Sequence, residues 1–509
     1  MSVDQAAAAS PAKARKPVWP KVPTEFVRAV LKGHSSLGLA FAALIYLICL
    51  TGAIAVFATE LNRWENPTLP RLAAASPQAA QAAYTAALAK AGGTPEHVFV
   101  ILPGGDQSLL SVRVQQEGQE ESEAWVADAQ GNLVGTADAP WTGFLTELHI
   151  NLHLPRVWGE FLVGLIGVAL LSSLISGLLA HPRIFRDAFH LRLGGSRRLQ
   201  EADLHNRLGI WALPFHVTVS LTGALLGLTT LIVGVLGLAV FQGDTSKVYA
   251  LFLPPEAKVD HRAAPAPDLL PLFAQVARLD PQGRIETVFI DDAAEMGTTI
   301  QVLVDDNSTR IANTDTYVFD RAGRLIHTKR AADFNLGESI LGAIGQLHFG
   351  WFGGGIVKIA YGLLGLGLSY LAASGVTIWL ARRRDKGRPA PAWERIWTAF
   401  VWGQPMALAG SALALVLVPG SGEGVAIAIW GAATLAALLL TLGLEAPALS
   451  RAGRVATGAL LVATGLGHAI LRPSPDPIAW TVDLALGAGG ILVWATLRRR
   501  QVPAAAPAS

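Results

Sequence analysis

Cysteine is almost missing from this chain. Cys49 is the single one in 509 residues, and it lies inside an apolar run. That excludes an internal disulfide, a cysteine-rich zinc site, an iron–sulfur cluster held by this chain alone and covalent haem attachment through C-x-x-C-H. Charge is scarce too. Asp, Glu, Lys and Arg make up 15% of the residues, whereas soluble chains carry roughly 25%. With the long apolar runs described below, this excludes a soluble globular enzyme, a disordered chain and a nucleic-acid binder. The formal net charge is only +2, so no global field steers an anionic partner. No G-x-G-x-x-G follows a predicted strand on the inner side, which leaves no nicotinamide or flavin domain.

What is present is apolar. Hydrophobic residues are 51% of the chain and mean hydropathy is +0.41. A bilayer-crossing helix needs about 20 apolar residues, and the sequence predicts eight. Four lie at 34–58, 157–181, 209–241 and 351–381. Four shorter ones follow within 399–497, at 399–418, 425–444, 455–471 and 478–497.

Basic residues orient these spans. Lys13, Arg15, Lys16, Lys21, Arg28 and Lys32 fall in segment 1–33, and Arg183, Arg186, Arg192, Arg197 and Arg198 in loop 182–208. Arg382 to Arg384, Lys386 and Arg388 fall in linker 382–398, and Arg498 to Arg500 in tail 498–509. With eight spans all four segments share one side, read as the cytoplasm, and both termini lie there. Segments 59–156 and 242–350 then face outward.

The chain repeats itself. His34-Ser-Ser-Leu-Gly38 followed by Leu50-Thr-Gly52 matches His205-Asn-Arg-Leu-Gly209 followed by Leu221-Thr-Gly223, both at an offset of 171. Leu148-His149 matches Leu347-His348, and Ser176-Gly177 matches Ser374-Gly375. Val126-Ala-Asp-Ala-Gln-Gly131 resembles Val318-Phe-Asp-Arg-Ala-Gly323. The unit is span, outer domain, span, used twice. Each outer domain reads as a small α+β module: a helix near 77–90 with strands at 97–102, 109–115 and 123–127, then a helix near 268–278 with strands at 287–290, 299–304 and 316–320. Neither holds a defensible Ser/His/Asp set, metal-spaced His cluster or phosphate loop. The expected fold is an α-helical polytopic membrane protein of about eight spans with two small α+β domains on a tandem repeat.

Histidines collect at the predicted membrane edges. His34 and His205 are repeat-equivalent at the inner ends of spans one and three. His149 and His348 are repeat-equivalent at the outer ends of spans two and four. His153 follows His149 by four residues, hence on one face of a helix. His181 ends span two. His216 lies eleven residues beyond His205, about 16 Å deeper on a straight helix. An ionisable group at such depth is a functional candidate. A b-type haem takes two axial imidazoles and no cysteine, and one haem near each face would carry electrons across. The pairing expected is His34 with His205 and His149 with His348, with His181 or His216 as substitutes and a third haem as a further option. An outer metal site from His149, His153 and His348 is the rival. His97, His190, His261 and His327 read as surface residues, and His468 as a polar helix contact. Pro214 should kink span three.

These motifs resemble the PepSY-associated transmembrane family of bacterial inner-membrane proteins. Leu148-His149-Ile-Asn-Leu-His153, His205 with Leu208-Gly-Ile-Trp-Ala-Leu-Pro-Phe-His216, Leu221-Thr-Gly-Ala224, and Leu347-His348-Phe-Gly with Gly353-Gly354 carry the resemblance, over roughly residues 25–385. The outer modules look like PepSY domains. The resemblance implies haem b, two or three per chain, bound through His34, His149, His205 and His348, with His216, His153 and His181 next. It implies an oxidoreductase of the ferric-siderophore-reductase kind, with a ferric siderophore or periplasmic iron carrier as acceptor. The donor would be a quinol or a separate reductase. The bundle at 399–497 departs from the compact four-span reductases. Two other functions compete: a membrane-anchored PepSY module that binds or inhibits a periplasmic peptidase, and a transporter built on parallel repeats.

Overall fold

A computed structural model describes residues 23–119, 122–180, 197–255 and 257–498. Within the expected segments 1–33, 182–208 and 498–509, only residues 23–33, 197–208 and 498 are among these, and His181 lies outside them.

The chain opens with a long apolar helix, α1 (Thr24–Ala55), and a short one, α2 (Ala58–Glu65). Then come α3 (Pro77–Ala91) and strands β1 (Pro95–Ile101), β2 (Leu110–Gln116), β3 (Ser122–Ala127) and β4 (Leu133–Thr136). Ser76 caps α3 by accepting from the Ala79 N–H, with Pro77 preset for the first turn. Helices α4 (Pro140–Ile150) and α5 (Arg156–Leu179) return the chain through the bundle. The second half runs α6 (Arg197–Trp211), α7 (Leu213–Gly227), α8 (Thr229–Val240), α9 (Thr245–Tyr249) and α10 (Leu270–Leu279). It continues through β5 (Arg284–Asp291), β6 (Thr299–Asp305), β7 (Thr314–Asp320) and β8 (Leu325–Lys329) to α11 (Leu336–Phe349) and α12 (Gly354–Asp385). The C-terminal helices are α13 (Pro391–Leu417), α14 (Glu423–Leu439), α15 (Ala446–Leu471) and α16 (Pro477–Ala495).

Among the described residues seven helices are long and apolar enough to cross a membrane, and eight spans result if the bent pair α6–α7 counts as one. The protein is a multi-pass membrane protein. The third span is not the continuous helix expected at 209–241. Its axis turns by 71° between α6 and α7, and it breaks again at Leu228 before α8. Pro214, in the first turn of α7, has no N–H to give and its ring crowds the carbonyl four residues back.

The two outer segments are not separate modules. Their strands form one eight-stranded antiparallel sheet in the order β4-β3-β2-β1-β5-β6-β7-β8. The seam pairs β1 with β5, with Phe99 opposite Phe289. Helices α3 and α10 share one core on one face, built from Tyr84, Val98, Val100, Phe273, Val288 and Ile290. Each four-strand half alone would leave a central strand edge bare. Pairing β1 with β5 satisfies both edges at once.

An ion triad ties this sheet to the bundle. The buried ammonium of Lys358 on α12 lies 2.8 Å from Glu60 on α2 and 3.0 Å from Asp106 in the β1–β2 connection. Lys358→Met should cost about 2–3 kcal/mol by leaving the carboxylates uncompensated. Faster proteolytic cleavage near Asp106 in the folded protein is the expected readout; an unchanged rate would remove the triad's docking role.

The C-terminal bundle is joined to the core mainly through α2 and α4. Arg63 and Arg71 grip Asp476 at 2.7 and 3.1 Å. The Trp64 indole N–H donates to Asp483 at 2.7 Å, and the ring lies 4.5 Å from the His468 ring. His468 donates through Nε2 to the Trp64 carbonyl at 2.7 Å and meets Asp483 through Nδ1 at 3.0 Å. His468 is therefore the polar helix contact that the sequence suggests, and Asp483 is its partner.

Candidate functional site

The four repeat-matched histidines sit in four equivalent seats. Each rests against a glycine of a neighbouring helix. A Cβ placed on Gly177 would lie 3.2 Å from the His34 ring, and one on Gly375 3.6 Å from that of His205. On Gly52 it would lie 2.6 Å from His149, and on Gly223 2.8 Å from His348. At Gly52 and Gly223, and more narrowly at Gly177, the absence of a side chain admits the imidazole, whereas on Gly375 a Cβ would be in ordinary contact with the ring.

The residue beside or near each glycine fixes the tautomer. His149 Nδ1 lies 3.0 Å from the Ile48 carbonyl and 3.4 Å from Thr51 Oγ1. His34 Nδ1 lies 2.9 Å from the Ser173 carbonyl and 3.3 Å from Ser176 Oγ. A carbonyl only accepts, so Nδ1 carries the proton in both. His348 Nδ1 lies 3.1 Å from Thr222 Oγ1, whose own proton goes to the Thr218 carbonyl at 2.6 Å. His205 Nδ1 lies 2.9 Å from Ser374 Oγ, which donates to the Leu371 carbonyl. His34 and His149, and His348 through the Val219 carbonyl as well, are then Nδ1–H imidazoles whose Nε2 keeps its lone pair, and the Ser374 hydroxyl allows the same tautomer at His205. This is how a metal-ligating imidazole is held: the second nitrogen is anchored, which orients the ring and raises ligand basicity.

The seats come in two pairs. On the sheet side, the rings of His149 and His348 lie 6.2 Å apart, centroid to centroid, with planes 24° apart. Two imidazoles each bound at about 2 Å through one nitrogen to a metal between them have centroids about 6 Å apart. On the far side, His34 and His205 line one cavity of about 400 Å³ among α1, α5, α6, α7 and α12. The cavity wall is mostly apolar, with Gly38, Gly209 and Gly375 in it and, among the described residues, Arg382 as its one lysine or arginine side chain. A flat apolar macrocycle with carboxylate arms fits such a lining, on the donor set and on the glycines that keep it open.

The other candidates are placed differently. His153 does not share a face with His149, because α4 ends at Ile150 and His153 sits in the following turn at φ +54°. Its Nε2 bonds the Phe144 carbonyl at 2.9 Å, and Nδ1 lies 3.5 Å from Glu423. Both nitrogens are engaged, so His153 is a brace on α4. The rival three-histidine metal site fails with it, and among the described residues no group of three His, Cys, Asp or Glu is placed to hold an ion. His216 is fully buried on α7, and neither ring nitrogen has a hydrogen-bond partner of good geometry. Its repeat equivalent is Ile45, on the wall of the far-side cavity.

Sequence reading missed the Nδ1 anchors Thr51, Thr222, Ser176 and Ser374. Their signal lay in the repeated Thr-Gly and Ser-Gly pairs, which mark the repeat and also form the seats.

A family comparison covers the same stretch. The family described as PepSY-associated TM region matches residues 31–382. The chain belongs to this family. A relative within reach is an uncharacterized protein of Pseudomonas aeruginosa, 30% identical over 314 residues, a stretch that covers 58% of this chain and 80% of the relative. All four seated histidines, their anchors and their glycines fall inside the PepSY-associated region, and α13 to α16 lie beyond it.

Proposed function

We propose that this PepSY-associated membrane protein is a haem-b electron carrier of the bacterial inner membrane. Electrons pass from the cytoplasmic side or the quinol pool to a periplasmic acceptor, for which a ferric siderophore is the leading candidate. The observation that carries the reading is the paired arrangement of repeat-equivalent imidazoles, two at each end of the four-span core, each with Nδ1 anchored. His34 and His205 would hold one haem and His149 and His348 the other. Bound haem supplies one-electron exchange.

The residues of the chain supply placement. Ser173, Ser176, Ser374, Ile48, Thr51 and Thr222 orient the four rings. Gly52, Gly177, Gly223 and Gly375 let the rings reach the bundle interior. The apolar wall of the far-side cavity excludes water, and Arg382 offers a cationic partner for a carboxylate there. One electron reduces Fe(III) in the chelate to Fe(II), for which hard oxygen donors have lower affinity, so the iron is released. Basic segments around Arg28, Arg198 and Arg382 support the cytoplasmic placement of the His34 and His205 end.

The test is the absorption spectrum of the detergent-purified protein, oxidised and then reduced with dithionite, with haem counted per chain. Sharp low-spin b-type bands at two haems per chain are expected. A colourless protein after expression with ample haem would overturn the reading. Thr222→Val keeps shape but removes one of two acceptors at His348, leaving the Val219 carbonyl, and should weaken haem retention at that end by up to roughly 10-fold. Gly52→Val should displace the His149 ring outright and give a chain with one haem, measured by the same spectrum.

A further inference from the structure

The two outer seats are equivalent in sequence and unequal in support. Helix α4, which carries His149, buries Trp141, Thr142, Phe144, Leu145 and Leu148. Its first turn is closed by the buried Glu65 carboxylate, which accepts the Trp141 and Thr142 N–H groups at 2.8 Å each. The Trp141 indole N–H bonds Ser411 on α13 at 3.0 Å, and Phe144 packs on Trp430 of α14. The connection after it is tight, since a Cβ on Gly159 would fall 2.2 Å from the Asn151 carbonyl. The C-terminal bundle therefore clamps the helix of His149.

Helix α11, which carries His348, has no buried residue. Its start is held by its own capping box of Asn335 and Glu338 and by Lys329. Leu336 and Ile340 are 78% and 57% exposed. Near its end the Leu347 carbonyl accepts from Tyr361, and His348 rests on Gly223 and Thr222. The connection that follows has Gly350, Gly353 and Gly354 at φ +71°, +73° and +63°, and Gly354 and Gly355 face open space. Few buried contacts and a glycine-rich connection are the marks of an element that opens at low free-energy cost.

We propose that His348 is the exchangeable member of the outer pair. Its helix swings from Gly223 on the glycine connection and admits a small neutral or anionic ligand of ferrous iron, while His149 stays fixed by the clamp. This rests on the haem reading above. The exchange would be a ligand substitution without change of oxidation state: Nε2 of His348 would give up its bond to the ferrous iron and the incoming ligand would form one.

Carbon monoxide is the probe. Added to the dithionite-reduced full-length protein, it should give a difference spectrum equal to roughly half the haem present. The same signal should persist in the His34→Ala, His205→Ala double variant, which places it at the sheet-side pair. His348→Ala should keep that haem in a high-spin form, and His149→Ala should lose it. A wild-type protein that is loaded with haem and inert to carbon monoxide overturns the proposal, as do His149 and His348 variants that behave alike, or a signal lost in the double variant. A wild-type protein without haem overturns the underlying reading instead.

Discussion

Replacing His34 and His205 together by Ala should cut the haem per chain to about half and stop electron flow across the membrane. The two residues line one apolar cavity of about 400 Å³. Without them the described residues of its wall offer iron no imidazole, because the rest of that lining is apolar apart from small hydroxyls, Asn206, Trp379 and Arg382. An apolar cavity retains a macrocycle only weakly once both axial bonds are gone. The sheet-side pair is built from other residues on α4 and α11, so its haem should stay bound and reducible by dithionite. In sealed vesicles, an external ferric chelate should no longer be reduced from the opposite side. Unchanged haem content would show that these two histidines are not ligands, whatever the wild-type spectrum looks like. Single substitutions within this far-side pair are less decisive, since either remaining imidazole can hold its iron.

Asp483→Ala should produce the largest loss of stability outside the haem sites. Its carboxylate takes the Trp64 indole N–H at 2.7 Å and faces His468 Nδ1 at 3.0 Å. Both partners are buried. Truncation leaves the indole N–H and the imidazole Nδ1 without their partner in the interior, at a cost of about 1–3 kcal/mol for each buried group. Trp64 emission is the natural reporter, because its ring lies 4.5 Å from that of His468. The expected result is an early unfolding transition in which the C-terminal bundle parts from α2 while haem content is initially retained. His468→Asn, which keeps a donor and an acceptor, should lose much less. A transition unchanged within about 1 °C would show that the contact contributes nothing.

These predictions divide the molecule. The span–domain–span core is the redox candidate, and α13 to α16 pack on it mainly through α2 and α4, with further contacts from Trp397 and Val401 on α13 to α12 and α1. The same clamp explains why two helices that match in sequence order, α4 and α11, differ so much in burial.

Much of this was legible in the residues. Runs of apolar side chains locate the membrane helices because the lipid interior leaves the backbone no other way to satisfy its hydrogen bonds. The offset of 171 between His34 and His205 and between Gly52 and Gly223 announces a duplicated unit. Alternation at 97–102 and 287–290 marks strands because one face of a sheet is buried. The edge histidines stand out since ionisable groups at a membrane boundary are scarce.

What only the tertiary structure decided is which surfaces meet. The strand pattern of β1 and β5 is the same whether each ends a sheet or joins two halves, because edge pairing uses backbone groups common to every residue. The break at Ala212 was signalled by Pro214, but the 71° turn was not, since a proline removes a hydrogen bond without fixing the new direction. His153 follows His149 by a helical interval, yet α4 stops at Ile150 and the ring turns to the Phe144 carbonyl instead. Thr-Gly and Ser-Gly pairs read as repeat markers until the fold sets an imidazole on each. Sequence by itself located the long apolar helices and three of the four strands in each outer half, because these follow from local periodicity and solvent, but not the edge strands β4 and β8 or the breaks in the third span. The seats, the clamp on α4 and the bare face of α11 depend on contacts between distant segments, and no local pattern encodes those.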